Sequence, residues 1–336
     1  MRPSESNEEL NRREISERRT VLESRPVALI VHLTERCNIN CPMCIVKKRR
    51  WEISDKTLGE IKDLLPYLRH ACWTGGETFL YPRFRELLEA AHRQEGLSQS
   101  IYTNGLLLDR DWMELLIRGD MTLIFSVDGT EPGVYEAIRR GARFEDLCRS
   151  LDLARRYQGR TAFRLDLKLS VAVMRTNHRR LGGFVEFARS RGIGELEFGP
   201  YIGDDREENI FKFRDEAAVS AVVESLRALA AEAAACGIKL FNRLPYNYSV
   251  CDKDKTLNSG PDLFCTFPWT WLHILPGGKV IPHGHCKQVV GDVSRGSILE
   301  IWNGPGMQSY RRKLADGSFD DWCRSDRHWM DLVMET

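Results

Sequence analysis

The chain has 336 residues, 42% of them hydrophobic and 29% charged, with a formal net charge of +1. Those values describe a globular chain, exclude a disordered one, and point to neither nucleic acid nor membrane as a bulk electrostatic partner. No apolar run reaches the roughly 18 residues that a membrane span needs, and the charged N-terminus lacks a signal-peptide core, so a cytoplasmic location is expected.

Residues 5–24 read as a polar helix with sparse apolar positions, a peripheral leader occupying residues 1–26. A repeating pattern starts at Val27. The run ALIVHL at 28–33 suits a buried strand, and Ser54 caps a helix bearing Leu58, Ile61, Leu64 and Leu65. Strands follow at 70–75, 99–105, 121–129, 163–174 and 195–201, with amphipathic helices between them. Asp109 opens one of these helices, and an Ala-rich helix covers 214–236. Alternation of this kind builds βαβ units and a parallel sheet. Six units predict an α/β fold, a partial (β/α)6 TIM-like barrel over 27–240. A doubly wound sheet is the competing arrangement, but no Gly-x-Gly-x-x-Gly follows the first strand. Either architecture gathers active residues at the carboxyl ends of strands.

Past residue 240 the helical periodicity stops. WLHIL (271–275) and KVIP (279–282) flank Pro276-Gly277-Gly278, which predicts a hairpin in a small C-terminal module over 241–336.

The ten cysteines are too sparse for a disulfide scaffold, and their clustering points to metal or catalysis. Cys37, Cys41 and Cys44 follow the first strand in the loop TERCNINCPMC, spaced C-x3-C-x2-C. Three thiolates leave one coordination position open, the property of a catalytic centre. Asn38, Asn40 and Pro42 keep the loop out of helix. The competing reading is zinc completed by a distant ligand such as His32. Cys265, Cys286 and Cys323 form a second group, with Cys251 just upstream. Isolated Cys72, Cys148 and Cys236 read as small buried hydrophobes.

With this spacing, at this place in a βα repeat, the chain resembles the radical S-adenosylmethionine (SAM) enzymes. Gly75-Gly76-Glu77 resembles the family's Gly-Gly-Glu element for the SAM amino group. Thr103 and Asn104 end the third strand as in many members. Ser126 and Asp128 resemble the Ser-x-Asp-Gly element near the SAM carboxylate and ribose, and Arg139 falls in a matching Tyr135–Gly141 stretch. Met43 stands where the family usually places an aromatic beside adenine. The resemblance implies a [4Fe–4S] cluster on the three thiolates, with SAM at the open iron. Its one-electron cleavage gives a 5′-deoxyadenosyl radical that abstracts a substrate hydrogen. It also implies an electron donor such as flavodoxin or ferredoxin.

The Cys265–Cys286 hairpin and the run Ile301-Trp302-Asn303 resemble the SPASM or shorter Twitch modules, which hold auxiliary [4Fe–4S] clusters; the full SPASM module carries more cysteines than remain here, so one auxiliary cluster, the Twitch form, is expected. Where the family places a fourth cysteine this chain has Asp326. The fourth ligand is open among Asp326, His283, His285, Cys251 and substrate. A zinc site of Cys265, His283 or His285, Cys286 and Cys323 is the alternative.

The substrate is less legible. Lys47-Lys48-Arg49-Arg50 reads as a solvated face. The leader is too short for a peptide-recognition domain, which favours a small sugar, cyclitol or nucleoside intermediate undergoing net oxidation or rearrangement. Modification of a ribosomal peptide is the alternative, and a non-catalytic zinc protein is the alternative of another class. Tyr102, Arg164, Glu197 and Tyr201 are candidate substrate contacts near strand ends, though an ordinary core or rim residue is the favoured reading for each, and none is assigned as a catalytic base.

Overall fold

A computed structural model describes residues 2–44, 46, 50–203, 205–244, 265–284, 286 and 288–318. The chain divides into two compact units, one of residues 1–36, 48–101 and 258–336, the other of 37–47 and 102–257.

In the first unit, β1 (Ala28–His32), β2 (His70–Thr74) and β3 (Ser98–Thr103) run parallel and in register, Ile30 facing Cys72 and Cys72 facing Ser100. Helices α2 (Asp55–Leu64) and α3 (Phe84–His92) follow the first two strands. Ser54 starts α2 as its composition suggests, accepting from the Thr57 amide at 3.1 Å. Leu58, Ile61 and Leu64 then form the buried stripe.

The hairpin predicted around Pro276 is present as β8 (Trp271–Ile274) and β9 (Lys279–Ile281), antiparallel, with a third short strand, β10 (Gly291–Asp292), against β9. It does not stand apart. β8 pairs in parallel with β1, Ile30 facing His273, so it extends the first strand's own sheet.

The N-terminal helix α1 (Pro3–Ser16) is likewise no peripheral leader. Its Asn7, Asn11 and Glu14 are buried despite their polarity because each has partners. The Asn11 amide donates to the Trp269 carbonyl at 2.6 Å and to Ser24 Oγ at 3.0 Å. Glu14 accepts from the backbone of Glu23 and Ser24. Three further helices belong to this unit: α9 (Phe267–Thr270), α10 (Ile298–Trp302) and α11 (Pro305–Ala315).

In the second unit β4 (Met121–Ser126), β5 (Leu165–Val173), β6 (Glu195–Pro200) and β7 (Lys239–Asn242) form a parallel sheet. Helix α4 (Arg110–Leu116) precedes β4, and α5 (Pro132–Ile138), α6 (Phe144–Tyr157), α7 (Phe184–Ser190) and α8 (Glu216–Ala235) lie between the strands in sequence. Along β5 burial alternates without a break. Leu165, Leu167, Leu169, Val171 and Val173 are buried, while Asp166, Lys168, Ser170 and Ala172 are half-buried. One face of the strand thus carries apolar core and the other is mostly polar, the alternation of a barrel strand.

Candidate active site

The thiol loop leaves β1 and carries Cys37 half-buried, Cys41 buried and Cys44 exposed. Its backbone is tied down within the second unit: the Asn40 amide donates to the Arg140 carbonyl at 2.7 Å. Gly141 next door has φ 93°, and a Cβ there would lie 3.7 Å from Ile39 Cα, so the turn after α5 sits close against the loop.

Among the described residues, Asn104 and Arg139 bring side-chain nitrogens to the thiols. Asn104 Nδ2 lies 3.9 Å from Cys37 Sγ and donates to Asn38 Oδ1 at 2.8 Å. Arg139 Nη1 lies 3.9 Å from Cys41 Sγ. Arg139 Nε also sits 2.6 Å from Asp128 Oδ2 as a buried ion pair whose approach is off the hydrogen-bonding direction. Burial works against the Arg139 charge, but Asp128 and Cys41 outweigh it and hold the guanidinium above its ordinary value. Burial pushes the Cys41 thiol up, with Arg139 pulling it back.

Asp128 is fully buried and locked by backbone. Its Oδ1 accepts from the Ala172 amide at 2.8 Å. Asn177 donates to the Asp128 carbonyl at 3.0 Å and to the Ala172 carbonyl at 2.8 Å. Sequence reading passed over Asn177. An asparagine just beyond a strand's carboxyl end was the available signal.

Ser126 ends β4 in register with Ser170. Thr103 Oγ1 accepts from the Gly105 amide at 2.9 Å, which shapes the turn after β3. Met43 packs against buried Ile138, Met174 and Tyr201, so Tyr201 belongs to an apolar cluster beside the thiol loop.

In the first unit, Gly75 and Gly76 end β2 directly against the segment that runs into Cys37. A Cβ on Gly75 would lie 2.4 Å from the Thr34 carbonyl oxygen, and one on Gly76 would lie 2.2 Å from that of Arg36. The Gly76 and Glu77 amides donate to those two carbonyls, each at 2.7 Å. Only glycine permits that approach. Glu77 is fully buried, and its carboxylate accepts from the Phe79 amide at 3.4 Å.

The other candidates divide. Tyr102 is half-buried near the end of β3. Glu197 lies on β6, 2.7 Å from Lys168 Nζ and 3.3 Å from Arg243 Nε. Burial opposes its charge, but these two cations hold its carboxyl below the usual range. Arg164 is a correction: it precedes β5 at the amino end, largely exposed and paired with Asp166, and so sits at the wrong end of its strand for a substrate contact. In the second cysteine group, Cys286 is buried and Cys265 half-buried. The Cys286 amide donates to the His283 carbonyl at 2.8 Å, and the His283 ring stacks on Phe267 at 3.8 Å. Cys323, Asp326, Cys251 and His285 lie outside the described residues.

Among the described residues, no three His, Cys, Asp or Glu side chains converge as ligands for a single ion. In a cubane cluster each thiolate binds its own iron, so the sulfurs stay spread along a loop. Three cysteines spaced along one loop, with Asn104 and Arg139 nitrogens near two of the sulfurs, fit such a cluster.

A parallel βα half-barrel whose first strand ends in C-x3-C-x2-C, followed by Gly-Gly-Glu and Ser-x-Asp-Gly at later strand ends, defines an iron–sulfur enzyme that uses SAM. Residues 31–168 match the radical SAM superfamily, and residues 265–325 match the SPASM iron–sulfur cluster-binding domain. The chain belongs to the radical SAM superfamily and carries a C-terminal SPASM domain, with SAM, a [4Fe–4S] cluster and auxiliary iron–sulfur binding as its cofactors.

It is 27% identical over 299 residues to PqqA peptide cyclase of Gluconobacter oxydans (strain 621H), covering 84% of this chain and 78% of that protein. It is 28% identical over 170 residues to GTP 3′,8-cyclase of Chlorobaculum tepidum, covering 48% of this chain and 50% of that one. Among solved structures, Streptococcus suis SuiB bound to precursor peptide SuiA superposes with a TM-score of 0.68 at 15% identity, over 97% of this chain and 74% of that one. The structure of anSMEcpe with bound AdoMet and Cp18Cys peptide gives 0.63 at 17%, over 90% and 88%. These superpositions establish the partial barrel fold. No helix among the described residues is long and apolar enough to cross a membrane.

Proposed function

We propose that this radical SAM enzyme modifies a peptide, removing hydrogen from a side chain in a net oxidation, rather than acting on a sugar, cyclitol or nucleoside. One observation carries the choice. The likeness to PqqA peptide cyclase runs through the barrel and the SPASM region together, whereas the likeness to GTP 3′,8-cyclase stops at about half the chain. The superposition on SuiB with its precursor peptide spans nearly the whole chain and supports the same reading.

In this reading Cys37, Cys41 and Cys44 hold the reactive cluster. When bound, cluster and SAM supply an oxidising organic radical that takes a hydrogen atom from the substrate. The chain's residues do the positioning. Gly75 and Gly76 let the backbone of β2 close on the Thr34–Arg36 segment, which leads into the ligand loop. Glu77 presents a buried carboxylate suited to an ammonium group, Ser126 and Thr103 offer hydroxyls, and Met43 offers an apolar surface to adenine. Cys265, Cys286 and Cys323, with Asp326, His283, His285, Cys251 or substrate completing the set, would hold an auxiliary cluster that could accept the electron left on the substrate radical once the hydrogen atom has gone. An external flavodoxin or ferredoxin would supply the separate electron that cleaves SAM.

The test is anaerobic reconstitution followed by incubation with SAM, reductant and short peptides encoded beside this chain's gene. The expected result is 5′-deoxyadenosine together with a peptide lighter by two hydrogens. Turnover of nucleosides or sugars but of no peptide would return the small-molecule reading. Equal iron in the wild type and a Cys37/Cys41/Cys44 triple-Ala variant would overturn the ligand assignment.

A further inference from the structure

We infer that Asn104 and Arg139 act as hydrogen-bond donors to the Cys37 and Cys41 thiolates, so that they set the reduction potential of the reactive cluster rather than serving chiefly as SAM contacts. This rests on the assignment of those cysteines as cluster ligands.

The orientation of each donor is fixed independently of the sulfur it faces. The Asn104 carboxamide has a carbonyl and an amino end. Its Oδ1 accepts from the Leu106 amide at 3.0 Å, which commits the oxygen to the backbone and turns Nδ2 toward the thiol loop. There Nδ2 meets Asn38 Oδ1 at 2.8 Å and Cys37 Sγ at 3.9 Å. Asn104 is itself buried. Arg139 is aimed by Asp128, 2.6 Å from its Nε, and Asp128 is aimed in turn by the backbone of β5 through Ala172. That leaves Nη1 on Cys41 Sγ at 3.9 Å. The loop and the Arg139 turn are also joined by the Asn40–Arg140 backbone bond, so donor and sulfur are held to the same frame.

The consequence follows from electrostatics. Reduction adds one electron to a cluster whose negative charge is spread over its sulfurs. Donors and cations beside those sulfurs stabilise the reduced form more than the oxidised form, and so raise the potential. Outer-shell donors of this kind also hold ligands in the binding geometry. Arg139 brings both a charge and donors, partly balanced by Asp128, while Asn104 brings a donor alone. The larger effect belongs to Arg139.

The experiment uses the full chain, reconstituted anaerobically, as wild type and as N104A, N104D, R139Q and R139K. Three quantities are read: the midpoint potential by EPR-monitored titration, the rate of iron loss to a chelator, and SAM affinity at the reconstituted cluster. The expected result is a lower midpoint in N104A and a further drop in N104D, which replaces a donor with a charged acceptor. R139Q should fall most among the neutral replacements, and R139K should recover part of the loss by restoring charge. Iron loss should quicken by about tenfold in R139Q, while SAM affinity changes little. A midpoint unmoved in all four variants, with SAM affinity weakened instead, would make both residues SAM contacts and overturn the inference. Circular dichroism of the apo variants separates these outcomes from misfolding, and R139K and N104D, both close in size to the native residues, keep the test open if N104A or R139Q misfolds. Failure of the ligand assignment itself looks different: the Cys37/Cys41/Cys44 triple-Ala variant would then keep its iron whatever the donors do.

Discussion

Gly76 has no space for a methyl group. The Cβ of an alanine would lie 2.2 Å from the Arg36 carbonyl oxygen, a backbone atom that cannot swing aside. Gly76→Ala should push β2 off the Thr34–Arg36 segment at a cost of about 1–3 kcal/mol, and should displace the start of the ligand loop. A lowered melting temperature with reduced iron after reconstitution is expected, and full iron loading at unchanged stability would refute it. His70 makes a second residue-scale case. Both ring nitrogens meet hydroxyls, Nδ1 with Ser98 Oγ at 2.9 Å and Nε2 with Ser100 Oγ at 3.1 Å. Burial pushes its titration down from 6.5 to about 4. Between those pH values the unfolded chain takes up a proton that the folded chain refuses. Stability linked to neutral His70 is therefore complete above about 6.5 and lost as pH falls toward 4. His70→Gln should flatten the pH dependence of the urea midpoint across that window. An identical slope in wild type and variant would exclude His70 as the group responsible.

At the scale of elements, α1 shows what composition conceals. Its sequence reads as a charged leader, yet Asn11 sits 2% exposed with its amide spent on Trp269 and Ser24. Asn11→Ala would leave the Trp269 carbonyl without that donor, at a cost of about 1–3 kcal/mol. Thermal melts should show the fall, and no change would mean that water satisfies the carbonyl. Arg311 on α11 meets the same region: it donates to the Pro268 carbonyl at 2.9 Å and the Thr20 carbonyl at 3.1 Å, above the Trp302 ring. Sequence could not reveal these partners, because they come from distant parts of the chain. It did reveal the local features. Apolar runs marked the first six strands, and Ser54 and Asp109 marked helix starts through caps that the structure contains. β7 escaped because Lys239–Asn242 is short and never fully buried. Cysteine spacing and Gly-Gly-Glu were legible since their chemistry is written in residue type. Asn177 was not, because its role exists only once β5 and the Asp128 turn are brought together.

At the scale of the molecule, the composition break near residue 240 suggests a detachable C-terminal module, and the strand pairing argues against it. β8 covers the edge of β1, residue against residue from Ala28–Trp271 to Val31–Ile274. A chain ending at Leu244 would leave that edge bare, four residues of apolar β1 presenting unpaired backbone, which is the situation that drives edge-to-edge association. It would also remove Trp269 and Trp302, both fully buried, and with them the Trp302 indole bond to the Ser24 carbonyl at 2.8 Å. Each lost backbone bond is worth about 0.5–1.5 kcal/mol net, and each tryptophan adds several more on the scale of about 3–5 kcal/mol for a core aromatic deleted. Together these match or exceed the roughly 5–15 kcal/mol that holds a domain folded. The shortened chain should therefore aggregate, or melt without a cooperative transition, even when its three reactive-loop cysteines are intact. Size-exclusion chromatography and calorimetry decide the matter: a monomer with a sharp transition would show that the barrel stands without its SPASM strand. Aggregation would instead mean that the SPASM region completes the sheet from which the Cys37–Cys44 loop hangs, so that testing the proposed auxiliary cluster apart from the proposed reactive one requires point substitutions at Cys265 and Cys286 rather than truncation.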